Sequence, residues 1–377
     1  MPLAVKRATM SLYSRLVRPL LFRLDAETAH AWTVEACRIA ARTPGGAWCA
    51  KRLFERRWPE LESEVAGLRF ANPVGLAAGW DKSGRALGML DRLGFGFAEI
   101  GSISAEPSLG NPGPRLFRLP QDRAIVVNYG LPNEGAGVVA ERLQRSPLRI
   151  PIGANVVSTN FGPTAPERPA EEILADYAYS VERIHRHVSY LTLNLSCPNA
   201  EGGKDLFAEP GGIQSLLERL EPLGIACPIF LKVPPEESPT EQERWLREAE
   251  LFPFVRGFQF NLPRGKPADL DLKTPPEVWR SMPGAVAGRP VEERINRCIK
   301  GLYSRMDRTR FAIIAAGGVF TAEDAYRKIR LGASLVQIYT SFVYEGPGVV
   351  RRINAGLTRL LRRDGFSALH EAVGQGE

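Results

Sequence analysis

Tyr190-Leu-Thr-Leu-Asn-Leu-Ser-Cys-Pro-Asn199 decides how this chain folds. The segment starts as an apolar run and ends, without a break, in the polar residues Asn194, Ser196, Cys197 and Asn199. Near-continuous hydrophobicity over so short a stretch suits a parallel strand buried on both faces. Seven further runs share this texture: Val74–Gly79, Phe97–Ile103, Ile152–Val156, Ile229–Val233, Gly257–Leu262, Phe311–Val319 and Leu335–Ser341. With Tyr190–Ser196 they make eight. Amphipathic stretches lie between them, among them Glu171–Arg186, Thr240–Leu251 and Ala322–Leu331. This alternation predicts the α/β class and a (β/α)8 TIM barrel. A doubly wound sheet usually carries a glycine fingerprint after its first strand, and none is present here.

In such a barrel the chemistry sits at the C-terminal ends of the strands. Here those ends are polar in nearly every run: Ala78-Gly79-Trp80-Asp81-Lys82, Gly101-Ser102, Asn155, Asn194 to Asn199, Lys232, Asn261, Gly317-Gly318 and Tyr339-Thr340. A lysine inside a strand is costly to bury alone, so Lys232 implies either a structural ion pair or an anionic ligand ring. Paired glycines after strand 7 are either a tight turn or a set of backbone N–H groups offered to a phosphate. Asn155, Asn194, Asn199 and Asn261 are turn formers or, taken together, amide donors and acceptors matched to a planar heterocycle. Cys197 follows a strand in a polar loop, where a thiol can act as a proton acceptor.

The chain has 377 residues, 44% hydrophobic and 24% charged, which is a globular composition with enough length for a full core. No segment approaches the roughly 18 consecutive apolar residues of a membrane span. The five cysteines include no Cys-x-x-Cys pair, so neither a metal site nor a disulfide framework is expected, and a reducing compartment is. The net charge of +7 is concentrated near the start, where residues 1–60 carry eleven Lys or Arg against five Asp or Glu. That imbalance points to an anionic surface nearby. Leu12, Leu16, Leu20 and Leu24 recur at helical spacing, with Arg15, Arg18 and Arg23 between them. Pro19 is expected to separate two short helices. Asp25 reads as an N-cap for a helix ending at about Arg42, before Pro44-Gly45-Gly46. Trp48, Leu53, Phe54 and Trp58 add apolar bulk among further basic residues. The segment is either a helical hairpin capping the core or an amphipathic surface that dips into a membrane interface. Nothing in it reads bases, so a nucleic-acid partner is not expected.

With these motifs in place, the chain resembles the dihydroorotate dehydrogenase family over nearly its whole length. The resemblance rests on Asn72-Pro-Val-Gly-Leu-Ala-Ala-Gly-Trp-Asp-Lys82, Gly110-Asn-Pro-Gly-Pro-Arg-Leu-Phe-Arg-Leu119 and Leu193-Asn-Leu-Ser-Cys-Pro-Asn199. It rests also on Ala316-Gly-Gly-Val319, Gly332-Ala-Ser-Leu-Val-Gln-Ile-Tyr-Thr340 and Tyr344-Glu-Gly-Pro-Gly348. Leu21-Phe-Arg-Leu-Asp25 with Ala29-His30 is similar to the helical extension of the membrane-associated, quinone-reducing class. The resemblance implies FMN as cofactor, held by Ala78, Gly79, Lys82, Ser102, Asn155, Asn194, Lys232, Gly288, Gly318, Tyr339 and Thr340. It implies substrate contacts from Lys82, Asn128, Asn194, Asn199 and Asn261, with Cys197 as base and Lys82 beside it in catalysis. It assigns His30 and Arg118 to the quinone route. Residues 1–62 would form the extension and 63–377 the barrel. The implied location is peripheral, on the cytoplasmic face of a bacterial inner membrane or on the mitochondrial inner membrane in a eukaryote.

The chain departs from the family pattern at several points. Cys197 and Gly130-Leu-Pro-Asn133 are similar to the soluble class rather than the quinone-linked one. Val127 stands where an Asn is usual, with Asn128 one place along, and Ala200 stands where a Thr is usual. Phe260-Asn261-Leu262 replaces a triplet with two hydroxyls. The main expectation is oxidation of dihydroorotate with a quinone as acceptor. The alternatives are an FMN oxidoreductase of the same family acting on another ring or unsaturated carbonyl, and a flavin-binding membrane protein without turnover.

Overall fold

The computed structural model describes residues 12–146, 149–162, 164–197 and 205–376. Eight parallel strands close into a barrel in chain order. They are β1 (Val74–Leu76), β2 (Phe97–Ile103), β3 (Ile152–Val156), β4 (Tyr190–Asn194), β5 (Ile229–Val233), β6 (Val255–Phe260), β7 (Ala312–Ala315) and β8 (Leu335–Ile338). Each overlaps one of the eight apolar runs, with β6 starting two residues before its run. Of the strand-end residues, Ser102, Asn155, Asn194 and Lys232 still belong to the strands, while Lys82, Asn261, Gly317, Gly318, Tyr339 and Thr340 lie beyond them at the C-terminal rim. The helices Ala170–Ile184, Pro239–Glu250 and Ala322–Arg330 fall on the three amphipathic stretches. Helices and strands share one large apolar core.

The N-terminal mouth of the barrel is filled by an alternation of glycine and aromatic residues. A Cβ on Gly75 would lie 2.4 Å from the Phe97 ring, and one on Gly153 only 2.1 Å from Tyr190. Gly257 leaves room for Phe230 in the same way. A hairpin of Ser63–Val65 and Leu68–Phe70 closes the mouth from outside, with Phe70 edge-on to Phe97 at 5.3 Å. At the other end an antiparallel sheet of Leu116–Leu119, Ala124–Val127 and Ala285–Gly288 rises beside the rim.

The N-terminal segment forms the expected hairpin, with two differences. α1 (Ala26–Arg42) starts at Asp25, whose carboxylate accepts from the Glu27 and Thr28 amides at 2.9 and 3.1 Å. α1 ends at Arg42, before Pro44-Gly45-Gly46, as expected, but that triplet is itself helical. It opens α2 (Pro44–Phe54), so one extended residue, Thr43, separates the two helices. Proline fits there because the first turn has no N–H partner to lose. Pro19 likewise leaves no gap: helical turns run from Tyr13 to Leu21, wider over Tyr13–Val17 and regular over Arg18–Leu21. The missing proline N–H is absorbed by a change of helical pitch. α1 packs on the barrel helix Leu87–Leu90, and α2 on Gly348–Arg363.

Candidate active site

Inside the barrel, beneath the rim, lies a carboxylate that the sequence analysis passed over. Glu99 sits in the middle of β2 and is fully buried. It accepts from Asn155 Nδ2 at 2.8 Å, Thr192 Oγ1 at 3.0 Å and Gln337 Nε2 at 3.0 Å. Its Oε1 lies 3.8 Å from Lys232 Nζ. Lys232 therefore has the ion-pair partner that its burial demands, and its ammonium also reaches the cavity wall above. The network continues upward. Asn155 Oδ1 accepts from Ser102 Oγ and, at 3.2 Å, from Asn194 Nδ2. Asn194 Oδ1 accepts from Asn261 Nδ2 at 2.8 Å. Five strands are thus cross-linked by polar side chains whose donors and acceptors are matched, which sets their rotamers in place.

Above this floor the strand ends enclose a cavity. Its wall includes Ala78, Gly79, Lys82, Ser102, Asn194, Cys197, Lys232, Asn261, Gly288, Gly318, Tyr339 and Thr340. Among the remaining candidates, Asn155 is fully buried one layer down and reaches the cavity only through Ser102 and Asn194. Asn128 is not on the wall; its side-chain oxygen is taken by Asn111 at 3.1 Å. Asn199 and Ala200 lie outside the described residues. Val127, Phe260 and Leu262 do line the cavity, so those sequence departures form an apolar side of the pocket.

One wall is bare backbone. Gly317 and Gly318 follow β7 with φ of 92° and 78°, a conformation that side-chain-bearing residues rarely adopt. A Cβ on Gly79 would meet no atom outside its own neighbours nearer than Tyr339 Cε2 at 4.0 Å, so it would project into the cavity space. On the same wall the Ser341 hydroxyl is buried with no partner among the described residues. Glycine backbone, an unpartnered hydroxyl, a lysine and amide side chains fit a large ligand with a planar polar ring and an anionic tail.

Lys82 and His30 meet at the edge of this cavity. The His30 ring, from α1, is 2.8 Å from the Trp80 carbonyl through Nε2, while Nδ1 is 3.2 Å from Lys82 Nζ. Lys82 Nζ also stands 3.9 Å over the Tyr129 ring. Burial, then the nearby Arg115, brings the Lys82 ammonium down to about 7. Burial and the Lys82 charge push His30 down to about 3, so its imidazole is neutral. His30 and Arg118 line a second, mostly apolar chamber between the N-terminal helices and the barrel. Ile125 and Tyr339 belong to the walls of both chambers. Arg118 also donates to the carbonyls of Leu21, at 3.1 Å, and Leu24, and lies over the Phe22 ring at 4.5 Å. It therefore ties the extension to the barrel as well as lining the chamber.

A parallel barrel with a polar floor, a glycine wall and a base-capable residue at its C-terminal rim defines the class: a barrel enzyme with its site in the rim cavity. The particular family follows from comparison. The dihydroorotate dehydrogenase family profile matches residues 60–361. The chain is 40% identical over 371 residues to a dihydroorotate dehydrogenase (quinone) of Roseiflexus sp. (strain RS-1), covering 97% of this chain and 98% of that protein. It is 37% identical over 360 residues to a protein of the same description from Mycolicibacterium smegmatis, covering 96% and 98%. The crystal structure of Eimeria tenella DHODH in complex with ferulenol superposes with a TM-score of 0.77 at 29% identity, over 93% of this chain and 95% of that one. The chain belongs to the dihydroorotate dehydrogenase family, whose members are flavin-dependent oxidoreductases.

Proposed function

We propose that this protein oxidises dihydroorotate to orotate, with FMN as its cofactor, and delivers the electron pair to a quinone. The observation that carries the reading is the convergence of Cys197, Lys82, Asn194, Asn261 and Lys232 on one glycine-walled cavity that shares Ile125 and Tyr339 with an apolar chamber. Ala78, Gly79, Ser102, Asn194, Lys232, Gly288 and Gly318 would hold the cofactor. When bound it supplies a hydride acceptor and, later, an electron donor. Cys197, as thiolate, takes the proton from the carbon next to the substrate carbonyl. Lys82 meets the substrate carboxylate, and the amides of Asn194 and Asn261 meet the ring carbonyl and N–H groups, where charge develops. The Glu99 network holds Asn194 and Lys232 in position and is not itself part of the chemistry.

The quinone would reach the flavin through the chamber lined by His30 and Arg118. Residues 1–62 form the extension that shapes this route, and 63–377 the barrel. The extension would rest on a membrane surface, peripherally, and in a bacterium on the cytoplasmic face of the inner membrane. Leu12, Leu20, Trp32, Trp48 and Leu53 support this, because these apolar side chains are between 57% and 74% exposed, with basic residues around them. Among the described residues no helix is long and apolar enough to cross a membrane.

The test is anaerobic addition of dihydroorotate to the flavin-loaded protein. Bleaching of the flavin band, with recovery on adding a quinone, is expected. Val127, Phe260 and Leu262 favour a second reading, in which the apolar side of the pocket takes a less polar ring. A flavin that ignores dihydroorotate but bleaches with another unsaturated carbonyl's reduced form would move the assignment there. Vesicle flotation of the wild type against a Trp32→Ser, Trp48→Ser variant tests the membrane contact, with loss of binding expected.

A further inference from the structure

His30 stands in the apolar chamber, yet its hydrogen bonds point the other way. Nε2 is 2.8 Å from the Trp80 carbonyl, which can only accept, so Nε2 carries the proton. In a neutral ring Nδ1 is then a lone pair. It faces Lys82 Nζ at 3.2 Å, with the Tyr129 hydroxyl also at 3.2 Å. An ammonium cannot accept, so Lys82 is the donor.

Three other charged groups act on Lys82. Glu27, on α1, and Asp81, next in the chain, favour its ammonium, while Arg115 opposes it. Glu27 is already committed to Arg115 at 2.7 Å. Asp81 is committed to the Arg85 and Ala86 amides, both at 2.8 Å. Among the described residues no carboxylate oxygen comes within ion-pair distance of Lys82. The Lys82 ammonium is therefore gripped by a neutral acceptor and an aromatic face. Both fix its direction and neither cancels its charge, so the full charge is left for an incoming anion.

We propose that His30 of the N-terminal extension is a positioning residue for the substrate half of the site, its Nδ1 holding the Lys82 ammonium on the cavity wall where the substrate carboxylate binds. The extension then completes the site for dihydroorotate as well as forming the quinone route. The proposal rests on Lys82 being the carboxylate's partner, as set out above.

The experiment is orotate binding to the oxidised, flavin-loaded protein across pH, read by calorimetry. Binding needs the ammonium and is lost as pH rises through the Lys82 transition. Three variants separate the two hydrogen bonds of the ring. His30→Asn places an amide oxygen near the Nδ1 position and keeps an acceptor for Lys82. His30→Gln reaches the Nε2 position, keeps the bond to Trp80 and leaves Lys82 without its acceptor. His30→Ala removes both. Wild type and His30→Asn are expected to lose affinity at the same pH. In His30→Gln and His30→Ala the midpoint falls by about one pH unit, the effect of one hydrogen bond to a charged group. If all variants keep the wild-type midpoint, or if His30→Asn shifts as far as His30→Ala, the proposal is overturned. Should His30→Ala fail to fold, the Asn and Gln pair decides. Lys82→Gln is the control for the underlying reading. It abolishes the high-pH loss of binding if Lys82 meets the carboxylate, and an unchanged pH profile there overturns that assignment itself.

Discussion

Cys197, half-buried at the cavity wall, and Lys82, which lines the same cavity and is held by His30, are the residues on which the proposed chemistry turns. An unperturbed thiol ionises near 8.5 and an aliphatic hydroxyl far higher. Cys197→Ser is therefore expected to retain flavin reduction by dihydroorotate but move its optimum to higher pH, while Cys197→Ala lowers the rate by about 10²- to 10⁴-fold. Anaerobic stopped-flow bleaching across pH measures both. Lys82 carries the opposite signature in stability. Its ammonium titrates near 7 in the folded protein, against 10.5 for the free side chain. Between those values the unfolded chain holds the extra proton, so folding is opposed as pH falls and fully so below 7. Lys82→Met is expected to melt higher than wild type at pH 7 without ligand, with the gap shrinking toward pH 10, and to lose turnover. A gap that widens with pH would contradict this account. Among single residues, Lys232 and Asn261 were legible as strand-end polar groups. Glu99 was not singled out, because one acid inside an apolar strand gives no local sign of which strands its partners occupy. The only available signal was the same one that marked Lys232, a charge where burial forbids an isolated one.

At the scale of elements, the eight strands were legible because burial on both faces leaves a compact apolar run that few other structures produce. Their ends were less so. β1 pairs only through Leu76 and β8 only through Ile338, whereas the apolar and small residues continue into the rim loops. Pairing, not composition, ends a strand. The glycine–aromatic alternation at the mouth makes a sharp prediction. Gly153 and Tyr190 are register partners on β3 and β4, and a methyl at 153 would sit 2.1 Å from the Tyr190 ring. Gly153→Ala is expected to destabilise the protein by about 1–3 kcal/mol, seen in urea unfolding. At α1, the Asp25 cap was legible from residue type alone. The same carboxylate sits below its usual range because of its bonds to Thr28, so this contribution to the start of α1 is present above the unfolded value and lost as pH falls through the folded one.

At the scale of the whole molecule, the barrel and the extension meet at two chambers with a common wall. The polar floor beneath the larger one is costly to bury and is stabilised further when a ligand completes its contacts. Adding FMN to the flavin-free protein is expected to raise its melting temperature. At a hundredfold excess over Kd the gain is about 2.7 kcal/mol, measured by calorimetry as a concentration-dependent Tm. A Tm indifferent to FMN, with a rise on another flavin, would reassign the cofactor. By itself the sequence determined the barrel, the polar rim, the capped N-terminal helix and the family, because each depends on local periodicity or on contiguous motifs. Only the tertiary structure decided that Glu99 pairs with Lys232, that Asn128 turns away to Asn111, and that His30 faces Lys82 rather than the chamber alone. These contacts join residues far apart in the chain. Their geometry is set by barrel closure and helix docking, which no local pattern encodes.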